Sequence, residues 1–359
     1  MKRSSIVVTN THPGGPESLT VEVEQDVPAP GPSEVVIQTE YCSINYPDLL
    51  MTTGGYQMHP KVIPFVLGSE AVGKVVECGS RVSSLRVGDV VHALTWHGAF
   101  ATHLVLDAGP FAPRDRAMRD VEELASPSTL LRAPLMVVPT DLPIDRVAAM
   151  GFVYSTAYYT LKDRAGLSRG QRLLVLGAAG GVGLAAVQIG KAIGAYVVAA
   201  AKTEDELALC RRYAATTIEC DQLRDDKWRR SEFEGAKRFD VVFDPLGTVY
   251  TEPALSTLRP GGRFLVIGFA SEDKEAKGSS TVHTGLVLVK ECTVIGSAWG
   301  AWASRNPDVH VANLNKLYGW LRDGKIDPYI NRVFPLADAG QALTTMQNKE
   351  IRGKVLLKA

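Results

Sequence analysis

Glycines at 177, 180, 181 and 183, in the run VLGAAGGVGLA, stand directly after an apolar segment and at the opening of a second one. Residues without a Cβ let backbone N–H groups approach a pyrophosphate, and the positive end of the following helix stabilises its charge. A lone glycine motif says little, but strand, glycine turn, helix and second strand in that order point to a dinucleotide. The second strand closes as VVAAAKTEDE, with Ala200 and Ala201 where an acid would hold a ribose 2′-hydroxyl. Lys202 follows, either a partner for a 2′-phosphate or an ordinary surface lysine, while Thr203 and Glu206 have the spacing of a capping box. The pattern favours NADPH over NADH, with Gly180, Gly181, Val182, Gly183 and Lys202 as binding residues.

A second stretch, FVLGSEAVG from Phe65 to Gly73, sets a hydroxyl and a carboxylate side by side in an apolar, glycine-interrupted strand. Ser69 and Glu70 are there for chemistry or for scaffold. Gly68 and Gly73 read as positions that let the segment pack close to a neighbouring domain.

The elements that would carry these residues fall into two kinds. Over the first 110 or so residues, short Val- and Ile-rich runs such as SLTVEVEQDV, SEVVIQTEYCSI, EAVGKVVECG and DVVHAL alternate with Pro and Gly punctuation, the mark of a small barrel or sandwich. From Gly170 the rhythm becomes strand, helix, strand, helix, and the strands lose their alternation, as parallel strands covered on both faces do. The tail after 302 predicts a helix, a short strand, a helix and a closing strand that fold back on the N-terminal part. The fold class is α/β: a β-rich domain from residues 1–150 and 302–359, and a doubly wound parallel-sheet domain from 151–301. The run from 108 to 136, with four prolines and balanced charge, reads as an insertion.

The totals exclude several classes of function. At 359 residues the chain is long enough for two cores, and Lys plus Arg equals Asp plus Glu at 39 each, so no global field draws it to nucleic acid or an anionic membrane. Five cysteines without a CxxC pair suit reduced thiols and a cytoplasmic location. Leu173 to Gly190 is uncharged for 18 residues, but its five glycines argue for strand, turn and buried helix rather than a membrane span.

In order, YCSINYPDLL, GGY, IPFVLGSEAVG, RVGDVV, GAFATHLVL, STAYYTL, the glycine motif, FDVVFDPLG, LRPGGRFLVIG, CTVIGSAWG and RGKVLL cover nearly the whole chain. That order resembles the medium-chain dehydrogenase/reductase superfamily, and its zinc-free quinone oxidoreductase, zeta-crystallin-like branch in particular. The resemblance implies a GroES-like catalytic domain and a Rossmann domain. Zinc-dependent members carry a ligating Cys, a Gly-His-Glu and a second Cys. Here Cys42 survives, but Ser69 stands in place of the His and Phe152 falls near the last ligand. A hydroxyl and a phenyl ring cannot replace imidazole and thiolate, so no metal site is expected, and Cys42 reads as a small buried residue.

Without a metal, the expected reaction is hydride transfer from NADPH to a quinone or an α,β-unsaturated carbonyl, whose conjugation carries charge onto oxygen. By the resemblance, Asn45 supplies an amide near the nicotinamide, though it could equally be a turn cap. Tyr56 corresponds to a tyrosine that enoyl thioester reductases use near the acceptor, where a phenol can donate a proton; otherwise it is a packing residue. Asp48 orients this loop, touches the cofactor or is a surface turn aspartate; the resemblance implies that Thr156, Gly268 and Phe269 line the nicotinamide pocket, against helix packing and a strand terminus as their structural roles. Two other functions compete: an enoyl-CoA reductase, and an NADPH-binding structural or RNA-binding protein with weak reductase activity. The RNA reading rests on Arg224 to Arg238, where cations interleave with Trp228 and Phe233. Nucleic acid is disfavoured as a partner, and ECTVIGSAWG resembles the pairing strand of family homodimers.

Overall fold

A computed structural model describes residues 2–9, 14–56, 60, 62–108, 135–213, 216–270 and 281–359, so most of the run from 108 to 136 lies outside the described residues. The chain forms two compact units. The first comprises Met1–Phe152, Gly300–Arg322 and Pro328–Ala359, and the second Val153–Trp299 with Asp323–Asp327. The short return into the second unit is tied down by Gln188, whose side chain donates to the Asp327 carbonyl at 2.9 Å and accepts the Asp327 N–H at 2.6 Å.

Among the described residues, eight strands open the chain: β1 (Lys2–Val8), β2 (Leu19–Asp26), β3 (Glu34–Ser43), β4 (Phe65–Val66), β5 (Glu70–Cys78), β6 (Val90–Leu94), β7 (His103–Asp107) and β8 (Met136–Val137). Six follow in the second unit: β9 (Arg172–Val175), β10 (Tyr196–Ala201), β11 (Thr216–Glu219), β12 (Phe239–Asp244), β13 (Leu258–Val266) and β14 (Thr293–Gly296). The chain ends in β15 (Ile330–Pro335) and β16 (Lys354–Lys358).

The first unit holds a three-stranded sheet, β2-β1-β4, and a seven-stranded sheet, β15-β16-β3-β5-β6-β8 with β7 on β3. The closing strand pairs antiparallel with β3, Leu356 opposite Ser43, so the chain end folds back as the tail pattern predicts. Val35, Ile37, Val75, Val91, Phe100, Leu343 and Leu357 share the core of this unit. Gly68 and Gly73 make close approaches within this unit: a Cβ on Gly68 would lie 2.2 Å from the Phe100 ring, and one on Gly73 2.3 Å from the Gln38 carbonyl.

The second unit is a six-stranded parallel sheet in the order β11-β10-β9-β12-β13-β14. Third, second and first strands run one way from the centre and fourth, fifth and sixth the other, so the order reverses between β9 and β12. Leu173, Leu174 and Val175 of the central β9 are fully buried, which is why that strand reads as a continuous apolar run.

Candidate functional site

In the second unit, the expected nucleotide residues gather at the carboxyl ends of β10, β9 and β13. The helix Gly181–Ile193 starts on Gly180, which gives it no side-chain cap, so its first N–H groups are left for a ligand. A Cβ at Gly183 would lie 2.2 Å from the Gly177 carbonyl oxygen, so only glycine lets this helix close on the turn. Lys202 is exposed just past β10. The Thr203–Glu206 capping box forms: Glu206 Oε accepts the Lys202 and Thr203 N–H groups at 2.8 and 3.2 Å. Gly268 and Phe269 follow β13, with Phe269 exposed. Beside them, Asp244 at the end of β12 accepts the Leu246 and Gly247 N–H groups at 2.9 and 2.8 Å and the Thr251 hydroxyl at 3.1 Å, which fixes the next loop. Thr156 is nearly buried, and its carbonyl accepts the Thr160 hydroxyl at 2.7 Å as the helix Gly151–Tyr158 runs into one π-helical turn, Tyr159–Arg164.

In the first unit, adjacent antiparallel strands bring four distant segments to one end of the large sheet. Glu70 opens β5, and His92 on β6 pairs opposite Val72, two residues on, so His92 and Glu70 share a face. His92 Nε2 lies 3.0 Å from Glu70 Oε1, and its Nδ1 lies 3.2 Å from the Tyr318 hydroxyl. Glu70 Oε1 also accepts the Phe152 N–H at 3.0 Å, and Gly151 is glycine because a Cβ there would lie 1.8 Å from the His92 ring. Asn45 Nδ2 donates toward Ser43 O, Ser69 Oγ and Glu70 Oε2 at 3.3, 3.2 and 3.2 Å. Its Oδ1 accepts from Lys354 Nζ at 2.6 Å, and the same ammonium donates to the Ile44 carbonyl at 2.6 Å.

The electrostatics follow from burial. Asn45, Asp48, Ser69, Glu70, His92 and Lys354 are all 4% exposed or less. Burial opposes the charge on Glu70, but the His92 hydrogen bond, the Lys354 and His92 charges and the Asn45 amide together hold its carboxyl below the usual range. Asp48 is less well served. Burial pushes its carboxyl up to about 7, against the Asn45 N–H, the Ser69 hydroxyl and the Lys354 charge. Among the described residues its Oδ1 finds no donor.

At Asn45 and Asp48 the structure shows a cap and a loop anchor. Both ends of the Asn45 amide are engaged inside the unit. Asp48 is fully buried with Oδ2 on the Asn45 N–H at 2.7 Å, closing a capping box at the start of the helix Tyr46–Thr52. Tyr56 differs from both. Its ring stacks on Trp96 with centroids 5.5 Å apart, and its hydroxyl makes no hydrogen bond with the described residues. Burial and the nearby Asp48 carboxylate raise its pKa, so it remains a phenol.

Cys42, Ser69 and Phe152, set against a zinc-ligand pattern above, are poor ligands. Cys42 is buried, donates its thiol proton toward the Ala99 carbonyl at 3.1 Å, and has its pKa raised by burial. Ser69 offers a hydroxyl and Phe152 a phenyl ring. Among the described residues no His, Cys, Asp and Glu side chains cluster as a metal site. Lys354, His92 and Tyr318 went unnoticed as polar partners. A lone lysine opening the apolar run KVLL was the one signal that could have found the first.

In the Arg224 to Arg238 patch the cations pair locally and the aromatics turn inward. Arg229 and Arg230 both pair with Asp226, at 2.6 and 2.7 Å, and Phe233 is buried against Phe239 with Trp228 packed on it edge-on. The aromatics face the core, not a stack of bases. No helix of the described residues is long and apolar enough to cross a membrane.

Comparison with known proteins places these features in a family. Residues 31–109 match the alcohol dehydrogenase GroES-like domain, and residues 181–312 match the zinc-binding dehydrogenase family. The chain is 30% identical over 343 residues to a quinone oxidoreductase-like protein 2 homolog of Nematostella vectensis, covering 94% of this chain and 85% of that one. It is 27% identical over 353 residues to an acryloyl-coenzyme A reductase of Sulfurisphaera tokodaii, covering 96% and 98%. The Escherichia coli quinone oxidoreductase, solved in complex with NADPH, shares the fold with a TM-score of 0.82 at 24% identity, covering 99% of this chain and 100% of that one.

Proposed function

The chain belongs to the quinone oxidoreductase branch of the medium-chain dehydrogenase/reductase superfamily, and on that premise we propose that it is a zinc-independent reductase using NADPH to reduce a quinone or an activated α,β-unsaturated carbonyl. The observation that carries this reading is the Tyr56 hydroxyl, a phenol with no hydrogen-bond partner among the described residues, set near the buried Asp48 of a linked polar cluster.

The second unit fits a dinucleotide. Gly180, Gly181, Val182 and Gly183 would hold the pyrophosphate with uncapped N–H groups, Lys202 the 2′-phosphate, and Thr156, Gly268 and Phe269 the nicotinamide end. A bound NADPH supplies hydride. Tyr56 holds, at its hydroxyl oxygen, the proton that the reduced acceptor's oxygen requires, and burial, with the nearby Asp48, keeps it there until it is taken. Asn45 and Asp48 fix the loop that leads to Tyr56. Ser69 and Phe152 leave no site for a metal, so chelators are expected to leave turnover unchanged, and metal analysis to find no stoichiometric zinc.

A second reading is supported by the acryloyl-coenzyme A reductase relative and by the same Tyr56: reduction of an enoyl thioester. A turnover panel of NADPH and NADH against quinones, enones, alkenals and enoyl thioesters tests both. Quinones or enones with NADPH are expected to lead, and an enoyl thioester ahead by about tenfold in kcat/KM would select the second reading. We propose a homodimer in the reducing cytoplasm: β14 is a sheet edge with Val294 exposed, Leu288 and Val289 beside it are more than three-quarters exposed at 78% and 77%, and all five cysteines are free thiols.

A further inference from the structure

We propose that Lys354 is a positioning residue for the reductase site, fixing through the Asn45 carboxamide the loop that leads from β3 to Tyr56. The inference rests on the function proposed above and gives a role to a side chain 309 positions from the residue it holds.

A lysine only 4% exposed is costly to bury unless its protons are placed. Here the ammonium donates to the Ile44 carbonyl and to Asn45 Oδ1, both at 2.6 Å. The second bond decides which way the amide faces. With Oδ1 on the cation, Nδ2 must face Ser43 O, Ser69 Oγ and Glu70 Oε2, all acceptors or able to accept. A flipped amide would set its NH2 against an ammonium and its oxygen against a carboxylate, so the cation selects one orientation.

The orientation is passed along the chain. The Asn45 N–H sits on Asp48 Oδ2 at 2.7 Å, closing the capping box from which the helix Tyr46–Thr52 begins. That helix ends at Thr53, three residues before Tyr56, whose ring rests on Trp96. The charged groups bearing on Lys354 are Glu70 and Asp48, with His92 beyond Glu70. A neutral side chain of similar length would fill the space on β16 but give Asn45 no reason to keep its orientation.

The test uses the intact protein. For Lys354→Met, kcat on an enone is expected to fall at least about 30-fold while the Kd for NADPH stays within about twofold. Lys354→Arg, which keeps the charge, is expected to recover kcat to within about fivefold of wild type. Adding Asn45→Ala to Lys354→Met is expected to cost little beyond Asn45→Ala alone, because both remove one interaction. Independently of activity, hydrogen exchange of the amides from 45 to 52 is expected to quicken at least about tenfold in Lys354→Met, with the helix Gly181–Ile193 unchanged. A folded Met variant with kcat within about twofold of wild type, or unchanged exchange in that loop, overturns the proposal. If Lys354→Met does not fold, Lys354→Gln takes its place with the same expected loss and the same overturning result. A wild-type protein that reduces no quinone, enone or enoyl thioester sinks the functional reading instead, and the exchange result then decides the role of Lys354.

Discussion

The two units place their chemistry by opposite means. The second unit offers a ligand almost nothing but backbone: an uncapped helix start at Gly180, a glycine turn, and strands whose central residues are wholly apolar and buried. The first unit buries Asn45, Asp48, Ser69, Glu70, His92 and Lys354 at one end of a sheet, and near Asp48 leaves the Tyr56 hydroxyl without a hydrogen bond to the described residues. Holding a phosphate needs only N–H groups that any sequence possesses, provided the side chains are small enough. Controlling a proton needs an ionisable group, and keeping that group in place needs a surrounding set whose charges cancel.

Perturbing each unit in its own terms sharpens the contrast. The largest effect is expected from Glu70→Leu, which strips His92, Asn45 and the Phe152 N–H of their common acceptor and leaves Lys354 short of a counter-charge; chemical denaturation should show a loss of about 3–5 kcal/mol. A loss below about 1 kcal/mol would mean that the buried cluster is not a linked set. The matching change in the second unit, Gly183→Val, drives a side chain into the Gly177 carbonyl. Calorimetric titration should find NADPH binding weakened about 100-fold, with only about 1–3 kcal/mol lost in stability. Lys202→Ala is a smaller cut, expected to raise the Kd for NADPH about tenfold and leave NADH unaffected; equal weakening of both would remove Lys202 from the 2′-phosphate.

The smallest effect is a slope rather than a loss. Burial pushes the Asp48 carboxyl up to about 7 from its ordinary 3.8, so the folded protein keeps a proton that the unfolded chain has already released. The stability linked to this group is full below pH 3.8 and drains away as pH rises to about 7. Glu70, held below its usual range, acts in the other direction, losing its contribution as pH falls. Asp48→Asn removes the first slope, so wild-type stability relative to the variant should decline by up to about 3 kcal/mol between pH 4 and pH 7. A parallel pair of pH curves would show that Asp48 is ionised throughout.

How much of this was legible follows from the same contrast. The glycine turn, the flanking strands and the Thr203–Glu206 box are local, each readable within a dozen residues of sequence. The polar cluster draws on β3, β5, β6, the helix Pro307–Arg322 and β16, and nothing near Lys354 or His92 says which strand will lie beside them. That is also why Asn45 and Asp48 could be read either as facing a ligand or as cap and loop anchor: their types suit both, and only the structure shows the Asn45 amide engaged across the sheet and Asp48 buried on the Asn45 N–H. Ser69 was legible by substitution alone. The resemblance sets its hydroxyl where zinc-dependent members would carry a histidine, and the structure adds that this hydroxyl accepts from Asn45.

The division of labour is tested most directly by Tyr56→Phe, comparing NADPH binding with single-turnover reduction of an enone on the same preparation. The account predicts a Kd within about twofold of wild type and a reduction rate at least about 100-fold lower. A rate close to wild type, or a loss carried by weakened NADPH binding, would contradict it.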